Sequence, residues 1–127
     1  MNKEVDRLAI LVFRWVLVVL WGGIIFYLSS KPLTDYPQLV PDYVAHLFEY
    51  SVLALLLWRA LHYDRQTSFS LSILVIALTS FYGLTDETHQ IFVPTRTFSP
   101  IDLAVDTLAA ILITLILLTL SKVFRFS

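Results

Sequence analysis

The chain contains no cysteine. Disulfide frameworks, thiolate zinc sites and cysteine redox chemistry are thereby excluded. Glycine occurs 3 times and proline 5 times in 127 residues, too sparse for a collagen-like or low-complexity chain. Charged residues make up only 15 %, where a soluble domain carries about 25 %. The net charge of −1 provides no global basic field, so nucleic acid is not an expected partner. What is abundant is apolar: 57 % of the residues are hydrophobic and the mean hydropathy is +0.76. The class left standing is a compact, multi-pass membrane protein.

Crossing a hydrocarbon core of about 30 Å takes roughly 20 helical residues. Four apolar stretches meet or approach that length: about 8–28, 43–61, 69–85 and 101–120. They predict an all-α membrane protein, a four-helix transmembrane bundle in a single domain over 1–127. Pro32, Pro37 and Pro41 punctuate the first connection; His62, Asp64, Arg65 and Gln66 make a short polar second one; Pro94 and Pro100 bracket the third. The first stretch exceeds the apolar run of a secretory leader and lacks a small-x-small cleavage pattern after it, so it is read as a span. Gly22, Gly23 and Gly83 are expected to mark close helix contacts, since small residues let backbones approach in lipid.

Basic residues set the expected topology. Lys3, Arg7, Arg14, Arg59, Arg65, Lys122 and Arg125 fall on one side, and only Lys31 and Arg96 on the other. The positive-inside rule then puts both termini and the second connection in the cytoplasm of a cell (cytoplasmic) membrane. Arg14 lies inside an apolar run and is expected to snorkel towards the headgroups. Acids divide the opposite way. Asp35, Asp42, Glu49, Asp86, Glu87, Asp102 and Asp106 all belong to the outer half, many of them within helices.

The spacing of these acids carries the functional signal. Asp42, His46 and Glu49 share one face of the second span, as do Gly83, Asp86 or Glu87, and Gln90 on the third. Carboxylates below the membrane surface must face the bundle interior and find a partner. Asp86 and Glu87 also sit near a helix C-terminus, against the dipole, and so call for compensation. Ser99 reads as an N-cap, Pro100 as the first helical residue, and Asp102 as a dipole-favoured acid. Asp106, one turn deeper, has no capping explanation. The segment 91–98 is too apolar for a free loop, so Phe92 and Phe98 are expected to pack back and carry Arg96 to the acids. One polar pocket is thus expected from His46, Glu49, Asp86, Glu87, Gln90, Arg96 and Asp106, with Asp102 at its rim. Arg96 should contact Asp86, Glu87 or Asp106, as a guanidinium fork fits carboxylates. No metal-binding signature or other cofactor motif appears, so none is expected. A nucleophile elbow is absent as well, leaving catalytic residues unassigned.

The same residues resemble a known family. Ser29-Ser30-x-Pro32, Asp42-x3-His46-x3-Tyr50, Gly83-x2-Asp86-Glu87-x2-Gln90-x-Phe92-Val93-Pro94-x-Arg96 and Asp102-x3-Asp106 look like the VanZ-like membrane protein family. Thr95 departs from the Gly often found there before the Arg, and Ala109-Ala110 from Gly after the last Asp. The resemblance implies a small integral protein of the bacterial cell envelope, with a name-giving member associated with resistance to the glycopeptide antibiotic teicoplanin. No established catalytic mechanism comes with the family.

Three functions compete. The outer acidic site, edged by Tyr36, Tyr43, Phe92 and Phe98, suits binding or modulating an envelope component or glycopeptide antibiotic, with membrane lipid as the constant partner. The alternative is an intramembrane acid/base enzyme acting on a lipid-linked or peptidoglycan-related substrate. A small transporter rests on Glu49 and Asp106 alone. Against it, the inner halves of the third and fourth spans read as apolar.

Overall fold

The computed structural model describes residues 3–35, 39–63 and 68–123. Expectations for Tyr36, Pro37, Asp64, Arg65, Gln66 and Arg125 lie outside the described residues. Four helices follow one another: α1 (Lys3–Ser29), α2 (Asp42–Leu61), α3 (Phe69–Gln90) and α4 (Pro100–Val123), with a short 3-10 turn at Leu33–Asp35 between the first two. There is no strand among the described residues. All four helices are long and apolar enough to cross a membrane. The fold is an all-α, multi-pass transmembrane bundle.

Helix α3 runs to Gln90, beyond the expected end near 85. The polar run Asp86–Gln90 stays helical because the bundle supplies its side chains with partners. Helix α4 packs most extensively on α2 and next on α3, while α1 lies mainly against α2. The C-terminal ends of α1 and α3 therefore meet the N-terminal ends of α2 and α4.

Polarity is distributed as lipid demands. Ile25, Tyr50, Leu53, Ala54, Leu57, Trp58, Val75, Ala109 and Ala110 form the core. Large apolar side chains such as Val19, Phe69 and Ile101 stand on the outer surface. Ala109 and Ala110 are fully buried, where small side chains let α4 approach its neighbours. Ser72, Thr79 and Thr114 also face inward, so the interior of the apolar half holds hydroxyls that hydropathy does not reveal.

The glycines separate. Gly22 accepts a hydrogen bond from the Tyr82 hydroxyl through its carbonyl, and Gly83 lies against the Asp106 side chain. A Cβ added at Gly23 would meet nothing within 4 Å, contrary to expectation, because Gly23 lies one residue off the packed face. At the end opposite the acids, Arg14 Nη1 donates to the Arg59 carbonyl at 2.6 Å. Its guanidinium also stacks 4.5 Å over the Tyr63 ring. Both contacts draw its charge towards the end of α2.

Candidate functional site

The centre of the site is His46. It lies on the second turn of α2, 3 % exposed, and its ring stacks parallel to Tyr50 one turn on, at 5.7 Å. That stacking fixes the imidazole plane and leaves its two nitrogens aimed at different helices. Nδ1 is 2.9 Å from Asp106 Oδ1 on α4. An ionised carboxylate only accepts, so with Asp106 ionised Nδ1 is the donor in that pair. Nε2 lies 3.8 Å from Glu87 Oε1 on α3, beyond hydrogen-bonding reach.

The sequence positions both acids by local rules. Ser99 caps α4: its Oγ accepts the Asp102 N–H at 3.2 Å, as expected of Ser99-Pro100. The free N–H of Ser99 itself donates to Glu87 Oε2 at 2.7 Å. An acid from the end of α3 thus meets the positive end of α4, which supplies the compensation that its position on α3 lacks. Asp106 reaches His46 because Gly83 leaves room. A Cβ at Gly83 would stand 2.6 Å from Asp106 Oδ2 and 3.1 Å from its Cβ. Glu87 and Asp106 are fully buried, and Glu87 Oε1 and Asp106 Oδ2 have no hydrogen-bond partner among the described residues.

A second polar group adjoins the first. Asp86 accepts from Ser29 Oγ on α1 and, at 3.4 Å, from Gln90 Nε2. Ser30 Oγ lies 3.0 Å from His89 Nε2, and the His89 ring stacks on Phe26 at 4.5 Å. These contacts pin the end of α1 to α3.

Arg96 differs from expectation. Nη1 pairs with Asp42 Oδ2 at 3.3 Å and Nε donates to the Lys31 carbonyl at 2.9 Å. It makes no ion pair with Asp86, Glu87 or Asp106. Those acids are already engaged by Ser29, Ser99 and His46, whereas Asp42 lies at the helix mouth and is partly open. The connection that carries it also departs from expectation. Val93 packs inward, but Phe92 is 80 % exposed and Phe98 is exposed as well. Thr95 adopts φ 66°, the left-handed region in which glycine is unstrained.

The structure therefore gathers His46, Glu87, Asp102 and Asp106 in one enclosed centre, places Asp86 and Gln90 beside it, and sets Arg96 over the mouth through Asp42. Glu49 is half-buried. Its carboxylate makes no hydrogen bond or ion pair among the described residues, and its carbonyl accepts from Trp21 Nε1. It lies three residues past His46 on α2. Ligand-capable atoms of His46, Glu87 and Asp106 fall within 4.8 Å of one another, and so do those of Asp42, His46 and Asp102. Chemically, the centre can relay a proton along carboxylate, imidazole and carboxylate, or hold a cation.

A family model described as VanZ/LLP1 matches residues 13–122. The chain belongs to the VanZ/LLP1 family. No curated protein and no solved structure matches the chain. The geometry explains how the residues that carried the VanZ-like resemblance work together in this family member: Ser29 holds Asp86, Tyr50 stacks on His46, and Gly83 admits Asp106. The left-handed backbone at Thr95 is one that glycine adopts without strain. Ser29, Asp42 and Tyr50 belong to the site although the pocket expected from helical spacing did not include them. The signals were present: Ser29-Ser30 in the resemblance, and Asp42 and Tyr50 one turn on either side of His46.

Proposed function

We propose that this VanZ-family protein lies in the bacterial cell membrane with both termini in the cytoplasm, and that its acidic centre faces outward to bind or modulate an envelope component or glycopeptide antibiotic. The observation that carries this reading is the concentration of Asp86, Glu87, Asp102 and Asp106, all buried, at one end of an otherwise apolar bundle. Ionisable groups at membrane depth are expensive and are kept for function. The exposed rings of Tyr43, Phe92 and Phe98 belong to the same end, where aromatic side chains suit the headgroup region of a membrane. An acidic centre favours an ammonium-bearing ligand, and the Arg96–Asp42 pair at the mouth is the contact such a ligand would have to displace.

Expression in a susceptible bacterial host tests the reading. Sensitivity to teicoplanin should change with the wild-type chain and revert with Asp106→Asn. Unchanged sensitivity, together with no ligand retained by the purified protein, would sink it. Single cysteines introduced at Thr34 and Thr97 should react with an impermeant maleimide on whole cells, and one at Glu4 should not. The reverse pattern would invert the topology.

One observation favours an acid/base enzyme instead. The Asp106–His46 hydrogen bond with Nε2 turned to Glu87 is an arrangement suited to proton transfer. Incubation with lipid-linked peptidoglycan precursors followed by mass spectrometry separates the two readings: a converted species that disappears in Glu87→Gln selects the enzyme.

A further inference from the structure

We propose that His46 and Glu87 hold a divalent metal ion of the zinc and manganese class, with Asp106 orienting the imidazole and Asp102 closing the site from the mouth. The site stands on its own geometry, whether or not an envelope ligand binds near it.

Three observations converge. First, Glu87 Oε1 is completely enclosed, has no hydrogen-bond partner among the described residues and faces His46 Nε2 across 3.8 Å. Two donors each about 2.1 Å from one ion stand about 3.4 Å apart at a tetrahedral angle. The observed gap is too wide for a hydrogen bond and close to the span that a shared ion requires. Second, Asp106 Oδ1 lies 2.9 Å from His46 Nδ1, placed to accept a hydrogen bond from it. This is the carboxylate–histidine relation by which proteins fix the tautomer of a ligating imidazole and leave Nε2 bare for the metal. Third, the charge balance calls for a cation. Asp86, Glu87, Asp102 and Asp106 are buried together, while Arg96, the guanidinium nearest to them in the chain, is engaged with Asp42. Buried carboxylates need a counter-charge, a proton or a metal.

The chemistry of the donors narrows the ion. Imidazole nitrogen with carboxylate oxygen suits zinc and manganese, whereas magnesium and calcium favour all-oxygen sites. Ligand-capable atoms of Asp42 and Asp102 also lie within 4.8 Å of a His46 nitrogen and of each other. Asp42 is committed to Arg96, and Asp102, 7 % exposed, adds negative charge beside His46. His46 and Glu87 come from different helices, so no local spacing signature marks them as a pair.

The test uses the full chain purified in detergent micelles, stripped with EDTA and dialysed against Zn2+, Mn2+, Mg2+ or Ca2+. Metal retained per chain is measured by inductively coupled plasma mass spectrometry, and metal-induced thermal stabilisation is followed alongside. Zn2+ or Mn2+ should be retained stoichiometrically and raise the melting temperature. His46→Gln and Glu87→Gln should abolish retention, and Asp106→Asn should weaken it by about 10–100-fold, as loss of an orienting partner does. Asp35→Asn, an exposed acid outside the site, should retain metal as the wild type does. Where a variant fails to fold, the wild type still decides. Loaded with Cu2+ or Mn2+, it should show histidine nitrogen coupling by electron spin-echo spectroscopy. Trace metal only in folded wild-type protein, equal retention in His46→Gln and Glu87→Gln, or an absence of nitrogen coupling would each overturn the site.

Discussion

Alanine substitution at two glycines isolates the contact on which the centre depends. At Gly83 the added Cβ would stand 2.6 Å from Asp106 Oδ2, 3.1 Å from its Cβ and 3.3 Å from its Cγ. Asp106 cannot simply rotate away, because Oδ1 is held by His46 at 2.9 Å. Either α3 and α4 separate or that bond breaks. Overpacking of this kind costs about 1–3 kcal/mol. Gly→Ala also gains up to about 1 kcal/mol of helix propensity, which would hide part of the loss. Gly23→Ala provides the correction, since nothing lies within 4 Å of its Cβ position. Both glycines are within helices, so the propensity gain is common and cancels in the comparison. The difference between the variants should therefore be the overpacking alone, about 1–3 kcal/mol. The assay is thermal or denaturant unfolding of both variants in one detergent, with His46 ring signals followed by NMR. Gly23→Ala should equal or exceed the wild type, and Gly83→Ala should fall below it with a displaced His46 resonance. Equal stability of the two variants, with His46 undisturbed, would refute the close approach of Asp106 to α3.

At the mouth, Arg96→Ala should destabilise by about 2 kcal/mol, the range of hydrogen bonds to charged groups. Arg96→Lys should recover only part of this, since one ammonium cannot reproduce the fork that reaches both Asp42 and the Lys31 carbonyl. Lys31→Ala removes a contact over the Tyr27 ring and should cost less, about 0.5–1 kcal/mol; melting temperatures that rank Lys31→Ala with Arg96→Ala would contradict this geometry. Thr95 carries left-handed backbone strain of about 1–2 kcal/mol and gains a bond from the Leu33 N–H at 3.0 Å. Thr95→Gly exchanges one for the other and should stay within about 1 kcal/mol of the wild type, whereas Thr95→Val keeps the strain, loses the bond and should fall by about 1 kcal/mol. Unfolding midpoints in the order Val above Gly would reverse the argument.

Local chemistry made much of this protein legible before any tertiary contact was known. Hydropathy and span length located four helices, because a bilayer imposes length directly on sequence. The 3.6-residue period put His46 with Asp42, and Glu87 with Gly83, on common faces. Capping rules read Ser99 and Pro100 correctly, since a cap is satisfied within a few residues. That Asp106 needed a partner also followed from its depth alone.

Which partner it found did not. The rotation of each helix about its axis is set by packing against its neighbours, and this decided that Asp106 hydrogen-bonds with His46 while the Glu49 carboxylate, only three residues from His46, makes no hydrogen bond among the described residues. It also decided that Arg96 pairs with Asp42, that Ser29 reaches Asp86, and that Gly83 rather than Gly23 marks the close approach. Each of these contacts joins residues about 20 to 65 positions apart, so local periodicity holds no record of them. Sequence determined that buried polar groups must be satisfied. Only the assembled bundle, by bringing four helix ends together, determined how.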